Sequence, residues 1–449
     1  MVLKTKKQKL KQNKKIKTKK PKTKLKVAII TITILAIIIV TILNTNQTKY
    51  FEIEPGLQGR VMKNLYDLDD LIHEMKNKEF VLLGESTHGT KEYYQIRAHI
   101  SKQLIKNHDF NFIALEGDWA TIYELNKYVK NLDGSKNTAR EAMMSLSRWP
   151  EWLWRNEEIL NLVEWLREHN ENLQEHERVG IYGIDVYSTE ETHALLINIL
   201  NEKEIARNEL NELNNCLNEF GAYFSNYPMF VYQTGNTCQE EIQQLKRAIN
   251  DLELNNKEQF IITQKINVIE NAEKHYRKMI HQNYDSWNAR ANHFAQTTQY
   301  IANYYGENSK GIVWAHNTHV GDSTHIQGAQ NMQNIGQILR PNHDVFILGF
   351  VKNKGRVSAG REWGAPKQIM TLPEAKPNSY GDLIAQTGHK KALFIFKENR
   401  DEVNIRGHRA IGVTYNPQNE QGNYVPTKIT KRYDAIIYLD ETTELRTLN

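Results

Sequence analysis

Residues 80–89 read Phe80-Val81-Leu82-Leu83-Gly84-Glu85-Ser86-Thr87-His88-Gly89. Four consecutive apolar residues without polar alternation fit a short strand buried on both faces, and a polar loop bounded by two glycines follows at once. The same design recurs along the chain. Phe112-Ile113-Ala114-Leu115 runs into Glu116-Gly117-Asp118, Val179 to Ile184 ends at Asp185, and Gly311 to Ala315 ends in His316-Asn317-Thr318-His319. Val345 to Phe350, Ala392 to Phe396 and Tyr433 to Leu439 supply further runs, the last a final strand.

Helical spacing separates these runs. Lys91 to Lys106 and Thr121 to Val129 are predicted helices, and Leu65, Leu68, Leu71 and Ile72 mark an amphipathic one after a linker beginning near residue 49. Buried strands alternating with helices predict an α/β fold with a mostly parallel central sheet flanked by helices. From about 190 to 305 the sequence is rich in Glu, Asn, Lys and Leu with little strand signal. That stretch is predicted as a large helical insertion of three or four long helices, with Cys216 to Cys238 a loop region inside it. These two cysteines suit either a disulfide or two buried thiols, and neither belongs to a metal-binding spacing.

The N-terminus is different in kind. Its first 26 residues hold 13 lysines and no acid. Taking that +13 from the formal +5 leaves −8 for the remainder, so the basic balance belongs to the tail. An acidic body without zinc-finger or RNA-binding signatures argues against nucleic acid as a partner. Val27 to Leu43 then gives 17 residues without a charge, which predicts one transmembrane helix near the short limit for spanning. A cleaved signal peptide is the competing reading, but Asn44-Thr45-Asn46-Gln47 offers no small-residue cleavage site. The lysines place the 1–26 tail in the cytoplasm and residues 49–449 outside, on a single-pass cell-membrane protein whose membrane contact is the 27–43 signal anchor.

In open α/β sheets, ligands bind at the carboxyl ends of the strands. Glu85, His88, Glu116, Asp118, Asp185, His316 and His319 all fall there. A near-neutral imidazole can take a proton from water, and a carboxylate beside it fixes its tautomer, so this set predicts hydrolysis. Arg97, on the helix after the His88 loop, is predicted to stabilise a developing oxyanion. His88, Glu85, Glu116, His319 and Arg97 are therefore the candidate catalytic residues. Asp118, Trp119, Asp185, His316 and Arg290 are the candidate substrate-binding ones. Trp149, Trp152 and Trp154 either line an apolar pocket or pack in the core, and Arg148 to Arg155 would suit a lid. No Gly-x-Ser-x-Gly elbow, phosphate loop or HExxH motif is present. His88, Glu116, His316 and His319 also carry the atoms to hold a divalent metal, which leaves a metal-dependent hydrolase or protease open beside a cofactor-free one.

GESTHG at 84–89, the Arg97 helix, LEGDW at 115–119, GIDVY at 183–187, SWNAR at 286–290 and AHNTH at 315–319 follow one another in this order. Together they resemble the motifs of the erythromycin esterase family, from about residue 60 to the end. The resemblance implies an esterase with an α/β core and helical insertion, acting on a small-molecule ester or lactone. By motif, the family's general base falls on His88 with Glu85 in the same loop. Its second glutamate falls on Glu116, its arginine on Arg97, and the second histidine of its AHNxH motif on His319. Members of this kind open macrolide lactones by water attack, a form of antibiotic resistance. Ala291 departs from the acidic residue that often follows the arginine of the SWNxR motif, which puts a supporting salt bridge in doubt and motivates a third alternative, a catalytically inactive envelope binding protein. The membrane anchor favours a cell-envelope or extracellular substrate over an intracellular macrolide.

Overall fold

The computed structural model describes residues 49–221, 223–281, 283–397 and 400–448. The lysine tail and the apolar 27–43 segment lie outside them. Among the described residues no helix is long and apolar enough to cross a membrane.

Among the described residues, twelve strands follow in chain order. They are β1 (Tyr50–Glu54), β2 (Leu57–Val61), β3 (Phe80–Leu83), β4 (Phe112–Asp118), β5 (Gly180–Asp185), β6 (Gly311–Trp314), β7 (Val345–Ala359), β8 (Gln368–Leu372), β9 (Lys391–Ile395), β10 (Arg406–Arg409), β11 (Tyr424–Thr427) and β12 (Ala435–Thr442). The main sheet has the order β1-β2-β9-β12-β7-β3-β6-β4-β5, with β8 paired to the far end of β7. β12, β7, β3, β6, β4 and β5 run parallel, while β9, β2, β1 and β8 add antiparallel pairs at the margins. The result is a mixed α/β fold around one large sheet.

The apolar runs behave as two-sided strands. In β3, Val81 and Leu83 join the core on one face, and Phe80 and Leu82 join the core on the other. Successive strand residues point to opposite faces, so an unbroken apolar run requires cover on both. Helix Lys91–His108 supplies part of that cover through Tyr93, Ile96, Ile100 and Leu104.

Between β5 and β6, six α-helices run from Thr189 to Tyr305 among the described residues, with their own core around Leu196, Leu213, Leu245, Ile266 and Ile269. Cys216 lies in helix Arg207–Asn218, and Cys238 caps helix Gln239–Asn250. The two form a disulfide. A short helix, Tyr227–Thr234, occupies the segment predicted as loop.

The sheet places the site. β3, β6, β4 and β5 are consecutive neighbours, so their C-terminal ends form one edge. Two glycines let the β3 loop pack there. A Cβ on Gly84 would sit 2.2 Å from the Asn317 side-chain oxygen, and one on Gly89 would sit 1.9 Å from the Ser358 carbonyl oxygen. Neither position admits a side chain without moving the backbone.

Candidate active site

The loop after β3 turns His88 back onto its own start. His88 Nδ1 lies 2.8 Å from Glu85 Oε1, and both groups are buried. The carboxylate can only accept, so Nδ1 carries the proton and Nε2 presents a lone pair to the cleft. Glu85 is itself held: Arg97 Nη2 donates to Glu85 Oε2 at 2.9 Å. Arg97 is fully buried, with its guanidinium 4.4 Å from the Tyr94 ring and 4.6 Å from the Trp314 ring. It stands behind Glu85, outside the cleft, and that corrects the expectation of a substrate-facing cation. Arg97 shares one helical stripe with Tyr93, Ile100 and Leu104, so it faces the sheet.

Glu116 enters from β4, where the register with β5 shifts between Leu115 and Asp118. His88 Nε2 is 4.0 Å from Glu116 Oε1, a gap that one water bonded to both can bridge. Glu116 Oε1 also lies 3.2 Å from Arg290 Nη2 and 3.2 Å from His319 Nε2, while Oε2 accepts the His316 backbone N–H at 2.7 Å. Arg290 comes from helix Asp285–Tyr305 and grips Asp185 at the end of β5 through Nε at 2.8 Å and Nη2 at 2.6 Å. Arg290 is thus paired with Asp185, although Ala291 rather than an acid follows it. His319 stacks on Trp287, with centroids 4.4 Å apart and planes 9° from parallel.

His316 has a fixed tautomer. The Thr318 backbone N–H donates to its Nδ1 at 3.3 Å, with Thr318 Oγ1 at 2.8 Å. Nδ1 is therefore the acceptor, and the proton of the neutral ring sits on Nε2. Among the described residues that buried Nε2–H makes no close hydrogen bond, and the ring lines the cleft with its centroid 4.8 Å from that of His88.

Charge follows geometry. Burial works against a charged His88, but the hydrogen bond to Glu85 and the charges of Glu116 and Glu85 outweigh it and raise its pKa above the ordinary 6.5. Burial, then the charge on His88, holds His316 well below that value. Burial also opposes ionisation of Glu116, yet His319, His88 and Arg290 around it keep its pKa well below the usual carboxylate range. The site is thus built to keep Glu116 anionic and His316 neutral while His88 exchanges a proton.

These groups face a cleft of about 430 Å³. His88, Glu116, Asp118, Asp185, Arg290, His316 and His319 line it; Glu85 and Arg97 stand behind His88. Trp119 does not line it. It opens helix Trp119–Val129, is 1% exposed, and stacks between Tyr123 and Tyr182 under the sheet, so its reading as a substrate contact is corrected to core packing. Trp152 is likewise buried in the core. Trp154 does reach the cleft, donating from Nε1 to the Glu116 carbonyl at 3.0 Å. Trp149 packs against Trp363 near its mouth.

Sequence reasoning passed over Arg148, Trp287 and Trp363 as site residues. Arg148 Nη2 donates to Asp118 Oδ1 at 2.9 Å. The position of Arg148 in the quoted lid stretch and of Trp287 in SWNAR was the available signal.

A divalent ion does not fit this set. The guanidinium of Arg290 lies 3.2 Å from Glu116 Oε1 and 3.1 Å from His319 Nε2, which puts a fixed cation where the metal would bind. Among the described residues no group of three or more His, Cys, Asp or Glu has the geometry to hold a metal.

Three solved structures share the fold. One, described as a succinoglycan biosynthesis protein, is 20% identical with a TM-score of 0.68, covering 89% of this chain and 96% of its own. A Bacillus cereus protein is 20% identical with a TM-score of 0.69, covering 90% and 97%. A mutant of the erythromycin esterase EreC in its open conformation is 16% identical with a TM-score of 0.60, covering 86% and 98%. The protein-family model described as erythromycin esterase matches residues 105–442. That match begins after Glu85, His88 and Arg97, which join the site through the loop geometry given above. Covered by the family model over well more than half its length, with Glu116, Asp185, Arg290, His316 and His319 all inside the match, the chain belongs to the erythromycin esterase family.

Proposed function

We propose that the cleft hydrolyses a carboxylic ester or lactone by direct attack of water, with His88 as general base. The observation that carries this is the geometry of His88, with Nδ1 2.8 Å from Glu85 Oε1 and Nε2 4.0 Å from Glu116 Oε1. A water there gives one hydrogen bond to His88 Nε2 and the other to Glu116. As its oxygen bonds the carbonyl carbon, its proton passes to His88, and Glu85 and Glu116 stabilise the imidazolium. His316, beside the base, is the donor in this reading, its Nε2–H turning to the developing oxyanion. When the tetrahedral species collapses, the carbon–oxygen bond to the alcohol breaks, and His88 returns its proton to the leaving alkoxide. No covalent enzyme intermediate is needed.

The aromatic wall of Trp154, Tyr187, Trp287 and Trp363 supports a substrate with an apolar face. The sequence before residue 49 supports an anchored enzyme with this cleft outside the cell, and hence an envelope or extracellular ester over an intracellular macrolide. The test is a panel of esters and lactones, macrolides included, given to purified protein with and without chelator. Hydrolysis that survives the chelator is expected. Activity that needs an added divalent ion contradicts the mechanism.

A further inference from the structure

Behind the His88 loop is an ionisable group the hydrolysis does not use. Lys352, on β7, is fully buried. Its Nζ lies 3.0 Å from each of three hydroxyls: Thr87, Thr90 and Thr442. Thr87 immediately precedes His88. Thr90 is the N-cap of helix Lys91–His108, whose Arg97 holds Glu85, and Thr442 ends β12. The Thr87 and Thr90 hydroxyls also pair with each other. Among the described residues no carboxylate contacts the amine.

A core position with this burial would be filled more cheaply by an apolar side chain, because a desolvated amine without a carboxylate partner adds little stability. Its three hydrogen bonds do something an apolar chain cannot: they tie the loop before His88 and the helix start after it to the sheet at a single point. The set is satisfied in either protonation state. An ammonium donates three hydrogen bonds, and a neutral amine donates two and accepts one from a threonine. Arg409, Glu92, Glu420 and Glu85 are the charged groups around it, and the Tyr93 ring lies 5.7 Å away.

We propose that Lys352 is a positioning residue for the reaction, holding the Thr87–Thr90 loop so that His88 stays in register with Glu85 and Glu116. This rests on the reading of His88 as the base. Lys352 touches neither substrate nor reacting atoms; it acts through the backbone on either side of His88.

The test compares the full chain with its Lys352→Met variant in two readouts. The first is the titration of His88 followed by imidazole 15N NMR, where Glu85, Glu116, Arg97 and His316 are the groups that set the midpoint. The second is hydrolysis of p-nitrophenyl acetate. In the folded variant the His88 midpoint is expected to fall toward the free-imidazole value of about 6.5. kcat should drop by about 10- to 100-fold, as for a displacement of roughly 1 Å in a catalytic group, with KM little changed. A folded variant with wild-type kcat and an unmoved His88 midpoint overturns the proposal. So does a kcat loss that disappears at temperatures where the variant is fully folded. If Lys352→Met does not fold, Thr442→Val, which removes one acceptor remote from His88, is expected to move both readouts in the same direction, and no movement overturns the idea. Should the wild type hydrolyse no ester, the hydrolase reading fails, while the His88 titration still decides the role of Lys352.

Discussion

Arg290 holds Asp185 through two parallel hydrogen bonds of 2.8 and 2.6 Å, although 105 residues separate them in the chain. Asp185 is buried and Arg290 largely so, and the same guanidinium reaches Glu116. It therefore locks the β4 and β5 ends of the site to the helical insertion. Arg290→Ala takes from Asp185 its guanidinium and from Glu116 one of its partners, leaving the Asp185 charge buried with, among the described residues, only the Val186 N–H, and should destabilise the protein by about 3–5 kcal/mol. Urea unfolding of the variant checks this. Lysine restores charge but not the planar two-pronged grip, so Arg290→Lys should recover only part of the loss.

Glu85 acts on the base through charge and tautomer together. His88 must be neutral to accept a proton, so activity is present above its pKa and lost as pH falls through it. Because Glu85 and Glu116 raise that pKa, the ascending limb of the pH–rate profile should have its midpoint above the ordinary imidazole value. Glu85→Gln removes one of the raising charges, so the limb should move to lower pH. An amide also tolerates the wrong tautomer, and kcat should fall by about 10²- to 10⁴-fold. A limb that moves to higher pH would contradict the assignment.

His316 is predicted to act as a neutral donor. His316→Ala removes the Nε2–H and should lower kcat by about 10²- to 10³-fold. Its pKa is held well below the ordinary value, so it carries no charge over the working range and the pH limb of His88 should remain in place. Steady-state kinetics across pH separates the two effects.

Much of this arrangement could be read from the residues because parallel strands announce themselves as unbroken apolar runs, and their C-terminal ends share an edge. β3, β4, β5 and β6 were located in that way, and with them Glu85, His88, Glu116, Asp185, His316 and His319. What was hidden has physical causes. β7 was expected to stop at Phe350 because Lys352, Asn353, Lys354 and Arg356 interrupt its apolar run, yet it continues to Ala359. The Lys352 amine is satisfied inside the protein by threonines distant in sequence. The β1–β2 hairpin carries charged and polar residues on a sheet margin, so it lacks the two-sided pattern. Arg97 and Trp119 were each placed one structural layer too close to the substrate. Position in the chain says which loop a residue follows, whereas the stripe it shares with apolar neighbours says which way it points.

The disulfide between Cys216 and Cys238 closes a loop with a sequence separation of 22. Replacing both with serine should cost about 3 kcal/mol of stability, mostly through the freer unfolded chain. The loss should concentrate in the helices between Arg207 and Asn250. Thermal unfolding with and without reductant measures it, and ester hydrolysis below the unfolding transition should be unchanged, because neither cysteine lines the cleft.

The most direct test is kcat/KM for a hydrolysed ester in wild type and in His88→Ala, with folding checked by circular dichroism. Loss of one well-placed general base predicts a fall of about 10²- to 10⁴-fold in a variant that still folds. A folded His88→Ala protein that hydrolyses the ester at the wild-type rate would show that another group activates the water.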